Sequence, residues 1–299
     1  MRAPPAGQRP SGECVTETLR VLVAGVTGQQ GSAVARALLE RGHAVVGLAR
    51  RPEKARAWRS RGVEIVRGDL TDRASIEKAL KGMDAFFLVT SWFEKGTEDE
   101  ARQGLTALDA ARVASVDHTV FSSVASADEA LGLRHFESKA RIERHARRSG
   151  IPLTIVRPVA FMENFLSPWM APSIQSGTLA QPIKPTTRVQ HIAIRDHADF
   201  VAERLVRRDG LGETIEIAGD AATFPEIAAM LGERFGRPIR FVELSDEQAT
   251  PFIGEEGVAM NRWFDRFGYH VDIKSLERRW GIRMTSFQEF FRGATLPPG

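Results

Sequence analysis

From Leu19 onward, short runs of apolar and β-branched residues alternate with longer segments whose apolar positions recur every three or four residues. The first pattern suits buried strands and the second amphipathic helices. Strands are predicted at 20–24, 44–49, 63–67, 85–89, 118–122 and 153–157. Helices are predicted at 32–41, 73–81, 98–114 and 136–149. Strands that alternate with helices form a parallel sheet covered on both faces, and right-handed crossovers give it the doubly wound α/β order. The rhythm breaks after Arg157-Pro158, and the segment to Gln190 is rich in Pro, Phe and Met and reads as irregular. Later pieces are strands at 189–194, 214–217 and 239–242 and helices at 197–207, 224–235, 257–267 and 287–291, with Asp196 as the N-cap of the first of these helices. The expected organisation is a tail over 1–18, a doubly wound domain over 19–157, and a smaller C-terminal α/β domain over 158–299 that returns some segments to the main sheet.

Composition narrows the class. Hydrophobic residues make up 42% of the 299 and charged residues 26%, an ordinary globular mix. The formal net charge is +3 and the basic residues are spread along the chain, which argues against nucleic acid as a partner. One cysteine, Cys14, permits no intrachain disulfide and fits a reducing compartment. Residues 1–18 are polar and rich in Pro and Gly, without the apolar core of a signal peptide, and read as disordered. No apolar run approaches the roughly 20 residues that span a bilayer. A cytoplasmic protein with no membrane partner is expected.

The chemistry starts at Gly25, Gly28 and Gly31, spaced by three between a strand and a helix. One glycine makes a tight turn, one lets backbone approach a pyrophosphate, and one allows helix and strand to pack closely. The helix N-terminus offers free N–H groups to phosphate oxygens, with Thr27, Gln29 and Gln30 in the loop. Where an NAD site places an acidic residue after the second strand, this chain has Arg50 and Arg51. Their planar donor forks suit a 2′-phosphate, so NADP(H) is the expected cofactor. Lys54 reads equally as a phosphate contact or a solvated cation. Asp69, followed by Leu70, reads as an adenine contact or a turn residue, and Thr90 ends the fourth strand beside the cofactor. His191 and His197 lack converging partners, so no metal is expected.

The combination of the glycine loop, Arg50-Arg51-Pro52, Gly68-Asp69-Leu70, His135-Phe-Glu-Ser-Lys139, Arg157-Pro158 and Phe161-Met-Glu-Asn164-Phe resembles the NmrA-like family over about residues 19–295. These are atypical members of the extended short-chain dehydrogenase/reductase superfamily. The resemblance implies a Rossmann fold and NADP(H). The family includes both small-molecule reductases and regulators without a known reaction.

Most reductases of the superfamily use Tyr-x-x-x-Lys, both side chains on one helix face, with the lysine holding the nicotinamide ribose and lowering the phenol pKa. Here Lys139 holds the lysine position and His135 the tyrosine position, while the one tyrosine, Tyr269, is far away in sequence. Lys139 reads as the ribose ligand, the alternative being a salt bridge on a solvated helix face. His135 reads as a general acid, as inert pocket lining or as a surface residue. Val124 stands where a hydroxyl is often found. Trp92, Phe93, Phe161 and Asn164 are candidates for the substrate pocket, with core packing the alternative for Phe161 and burial under a loop for Trp92 and Phe93. Two functions stay open. One is an NADPH-dependent reductase of a small carbonyl or quinone-like substrate. The other is a non-catalytic NADP(H) sensor acting on a regulatory protein partner. Either could be monomer or homodimer.

Overall fold

The computed structural model describes residues 18–129 and 132–296. Cys14 and all but the last residue of the expected tail lie outside them. Among the described residues, the main sheet is built from β1 (Arg20–Val23), β2 (Ala44–Ala49), β3 (Glu64–Arg67), β4 (Ala85–Val89), β5 (His118–Ser122) and β6 (Leu153–Pro158). Between them run α1 (Gln29–Glu40), the single turn α2 (Arg56–Arg59), α3 (Arg73–Leu80), α4 (Thr97–Ala114) and α5 (Arg134–Arg148). The C-terminal half adds β7 (Ala160–Phe161), α6 (Ala171–Gln175), β8 (Thr178–Gln181), β9 (Arg188–Ile192), α7 (Ile194–Arg207), β10 (Thr214–Ile217), β11 (Asp220–Thr223) and α8 (Phe224–Phe235). It closes with β12 (Arg240–Glu243), α9 (Asp246–Arg266), α10 (Ile273–Trp280) and α11 (Phe287–Arg292).

The seven-stranded sheet has the order β3-β2-β1-β4-β5-β6-β10, and every pair in it is parallel. This is the doubly wound Rossmann arrangement. Its strand order reverses between β1 and β4, and ligands of such sheets bind in the crevice outside the strand ends at that point. β4, β5 and β6 are buried on both faces; β4 is an unbroken apolar run, while β5 and β6 bury polar residues such as His118, Thr154 and Arg157 among their apolar ones. β10 and α7 return to the main sheet, with β10 beside β6 and α7 packed on α1. β11-β9-β7 and β12-β8 form two small sheets beyond it.

Several boundaries differ from the sequence reading for local reasons. α7 begins at Ile194 with Ala193 as its N-cap, so Asp196 does not cap it. Instead Asp196 accepts the N–H and hydroxyl of Thr285 at 2.6 and 2.9 Å. The first N–H group of α7, that of Ile194, is bonded at 3.0 Å by both carboxyl oxygens of Glu163, a residue distant in sequence. α9 starts eleven positions ahead of the expected 257 because Ser245 and Gln248 form a capping box. It then kinks at Gly254, where φ is +69°. The segment 158–190, read as irregular, contains β7, α6 and β8. The pattern reading does not single out α10, whose inward face carries only Ile273, Leu276 and Trp280.

Two glycines of the loop have structural duties that no other residue meets. Gly25 adopts φ +64°, and a Cβ on Gly31 would lie 2.2 Å from the Gly25 carbonyl oxygen and 2.4 Å from that of Ala24. Both obstacles are backbone, so α1 would have to retreat from β1. Gly31→Ala is therefore expected to lower stability by about 3 kcal/mol, the upper range for overpacking a tight site. Chemical denaturation checks this, and an unchanged midpoint would mean that α1 and β1 do not depend on this close approach.

Candidate active site

The loops after β1, β2, β3, β4, β5 and β6 all open into one cleft of about 730 Å³ at the switch point. Gly25, Thr27, Gly28, Gln29, Gln30, Gly31, Arg50, Asp69, Leu70 and Thr90 border it, as do Trp92, Phe93, His135, Lys139, Phe161 and Asn164. Arg51 and Lys54 are not among its lining residues. Thus all but two of the sequence candidates converge on one space.

Its nucleotide end suits an anion. α1 has Gly28 as N-cap, no side-chain cap and no acidic residue in its first turn. The N–H groups there are left for phosphate oxygens. A Cβ on Gly28 would approach only the Gly25 oxygen, at 3.3 Å. Glycine at 28 thus keeps backbone bare toward the cleft more than it relieves the fold. Gln30 turns inward and accepts the Ser122 hydroxyl at 2.6 Å, and His197 Nε2 bonds the same hydroxyl at 3.1 Å. Burial holds His197 down to about 3, so it is a neutral prop beneath the loop. Asp69 uses one carboxyl oxygen in a local turn, accepting the Thr71 N–H and hydroxyl at 2.9 and 2.8 Å. Burial works against ionisation of Asp69, but those bonds outweigh it and leave the carboxyl below its ordinary range. Arg50 pairs with Glu94 at 2.7 Å, with both side chains about half exposed.

Lys139 sits deeper. Its Nζ donates to Thr90 Oγ1 at 2.9 Å, lies 3.2 Å from Glu100 Oε1, and reaches the carbonyls of Thr90 and Ser122 at 3.3 and 3.4 Å. Glu100 is wholly buried on α4 and also accepts the Ser138 hydroxyl at 2.5 Å. The solvated salt bridge considered for Lys139 is in fact a buried ion pair. Sequence reasoning missed Glu100, although an acidic residue inside the otherwise apolar inner face of α4 (Ala101, Gly104, Ala107, Leu108) was a visible signal.

His135 lies at the cleft wall with a partner that the sequence did not reveal. Its Nδ1 is 2.5 Å from Glu256 Oε1 on α9, and its ring lies against Trp92 with centroids 5.5 Å apart. It is therefore no surface residue; its side chain is 13% exposed. Trp92 in turn stacks on Phe93 at 4.6 Å. After β5, the buried hydroxyl at the cleft belongs to Ser123, whose Oγ has no hydrogen-bond partner among the described residues; Val124 borders the cleft beside it. Tyr269 also reaches the cleft despite its distance in sequence. Burial, and then the charge of Glu216, push its phenol well above the usual range, so it stays a neutral hydroxyl. Phe165, Phe224, Met260 and Phe264 extend the cleft past the glycine loop as an apolar chamber, with Phe93 and the exposed Trp169 on its rim.

A model of the NmrA-like family matches residues 17–293, and the chain belongs to that family. It is 36% identical over 231 residues to the (4-alkanoyl-5-oxo-2,5-dihydrofuran-3-yl)methyl phosphate reductase of Streptomyces griseus, a match covering 77% of this chain and 78% of that protein. It is 31% identical to the NAD(P)H azoreductase of Xenophilus azovorans, with the same coverage of both chains. Its fold superposes with TM-score 0.79 on an NADPH-dependent quinone oxidoreductase from Escherichia coli solved with NADPH, at 26% identity, covering 91% of this chain and 98% of that one. Among the described residues no helix is long and apolar enough to cross a membrane.

The Lys139–Glu100 pair yields a direct test. Removing one partner of a buried pair strands the other charge, whereas removing both is far milder. Glu100→Gln is expected to lower stability by about 3 kcal/mol. Adding Lys139→Met should restore most of that loss in thermal denaturation. If the double variant is no better than the single one, the pair is not what stabilises this corner.

Proposed function

We propose that this protein is an NADPH-dependent reductase of a small, planar, conjugated acceptor of the carbonyl or quinone type, with His135 as the proton donor. The observation that carries this reading is the placement of His135 and Lys139 in one cleft, between a dinucleotide loop and an apolar aromatic chamber. The reductase names of the relatives support it.

NADPH bound along the glycine loop would supply the hydride and leave as NADP⁺. The chain's own residues do the rest. The first turn of α1 receives the pyrophosphate, and Arg50 turns its fork from Glu94 to the 2′-phosphate. That exchange is favourable because a half-exposed surface pair is worth little. Lys139 would hold the nicotinamide ribose, with its longer bond to the Ser122 carbonyl the one most readily given up. Trp92, Phe161 and Asn164 frame the acceptor. His135 would give a proton from Nε2 to the acceptor's oxygen, and the ring would recover a proton from water at the cleft mouth. The sum is acceptor plus NADPH plus one proton to reduced acceptor plus NADP⁺.

Two expected outcomes test the reading. First, calorimetry should find NADPH bound at least about tenfold more tightly than NADH, a difference of about 1.4 kcal/mol. Arg50→Asp should erase the preference, and Glu94→Gln should strengthen NADPH binding by freeing Arg50. Equal affinities for the two nucleotides would refute the role of Arg50. Second, NADPH should be consumed in the presence of 1,4-naphthoquinone or 4-nitrobenzaldehyde. His135→Phe should slow kcat by about a hundredfold, the usual share of one general acid, with NADPH affinity unchanged. Tight nucleotide binding without turnover on any acceptor would replace this reading with that of a nucleotide sensor.

A further inference from the structure

We propose that Glu256 is a positioning residue for the proton donor: reaching over from α9, it holds the His135 ring in the orientation and tautomer that leave Nε2 to serve the acceptor. This rests on the reductase reading above.

A carboxylate can only accept, so the 2.5 Å contact makes Nδ1 the N–H donor and leaves Nε2 as the working nitrogen. The same oxygen, Oε1, accepts the backbone N–H of His135 at 3.0 Å, and Arg134 Nε lies 3.3 Å from Oε2. The carboxylate is thereby fixed to the backbone of α5 as well as to the ring. Trp92 covers one side of the imidazole, and Phe136 meets it edge-on at 4.7 Å. With one nitrogen bonded and its faces occupied, the ring has little freedom to rotate. Burial works against the Glu256 charge, but the bonds from His135 outweigh it and hold the carboxyl below its ordinary range.

The placement depends on the kink in α9. Gly254 breaks the helix two residues before Glu256, and the second half then presents Gly257, Met260, Asn261 and Phe264 to the cleft along one face. The element that walls the acceptor chamber also orients the proton donor. Other charges near the ring are already matched. Arg134, on the same helix, is bonded to Glu256, Glu94 in the Trp92 loop is bonded to Arg50, and Lys139 one turn along α5 is neutralised by Glu100. Lys95, in the same loop as Trp92, also borders the cleft and has no ion pair among the described residues.

When the proton leaves Nε2, the ring becomes neutral while Nδ1–H stays bonded to the carboxylate. Glu256 itself keeps its charge throughout and exchanges no proton. An orienting carboxylate of this kind acts through the imidazole and touches neither cofactor nor acceptor.

The test uses the full chain with NADPH and 4-nitrobenzaldehyde or 1,4-naphthoquinone. Glu256→Gln keeps an acceptor oxygen but removes the charge. It should lower kcat about tenfold or more with KM and NADPH affinity little changed, and should move the basic limb of the pH–rate profile to lower pH. The loss should be larger for the aldehyde, whose alkoxide is the stronger base. Glu256→Asp should recover part of it. In a His135→Phe background, Glu256→Gln should have no further effect. Independently of turnover, nitrogen-15 histidine spectra should find the neutral His135 ring protonated on Nδ1, and shifted toward Nε2–H in Glu256→Ala. An unmoved pH limb, an equal loss in the His135→Phe background, or an unchanged tautomer would overturn the assignment of Glu256 alone. A wild type that turns over neither acceptor would overturn the reductase reading, and this one with it.

Discussion

A lysine ammonium buried at the end of a parallel sheet must be matched, and the Lys139–Glu100 pair is the constraint around which this site is built. The pair ties α5 to α4 and, through Thr90, to the end of β4. It also changes what the lysine can do. In a Tyr-x-x-x-Lys site the unmatched lysine charge draws down the phenol's pKa. Here Glu100 sits 3.2 Å from the ammonium and offsets that charge, so the lysine would draw down a neighbouring phenol less. A histidine needs no such help near neutrality. The change from tyrosine to histidine at 135 and the carboxylate beneath Lys139 are thus parts of one arrangement.

The same face of α5 carries two further ionic contacts, each one turn from the last. His135 meets Glu256 from α9, Lys139 meets Glu100 from α4, and Glu143 holds Arg157 of β6 through two bonds of 2.8 and 2.7 Å. Residues four apart share a helix face. The helix is therefore pinned at its start, middle and end by three different parts of the fold. Glu143 and Arg157 are both nearly or fully buried; burial works against the Arg157 charge, but bonds to the Glu143 and Asp128 carboxylates outweigh it and raise its already high pKa further. Such a helix holds His135 and Lys139 in fixed places at the cleft.

The legible part of the chain was its local part. The glycine loop, the alternating strands and helices, and the i, i+4 relation of His135 and Lys139 depend on neighbours in sequence, and each reads directly. What escaped depends on distant partners. Glu256 lies 121 positions from the ring it holds, and Glu100 lies 38 positions from Ser138, the hydroxyl that it accepts. Asp196 has the right residue type for a cap, yet its side chain finds Thr285, 89 positions away, while Glu163 takes over the helix end. The part of α9 before Gly254 had its capping box, Ser245 and Gln248, in plain view, yet it contains Pro251, a residue unusual inside a helix. For Glu256 and Asp196, the partner arrives only when the C-terminal half folds back over the cleft.

The central claim is that an acceptor in this cleft takes a hydride from NADPH and a proton from the protein. Single-turnover oxidation of bound NADPH by 4-nitrobenzaldehyde, followed by loss of nicotinamide absorbance in H₂O and in D₂O, tests both halves together. One NADPH should be oxidised per aldehyde reduced, at a rate clearly slower in D₂O for the wild type. No oxidation, or oxidation at the same rate in both solvents, would contradict the claim.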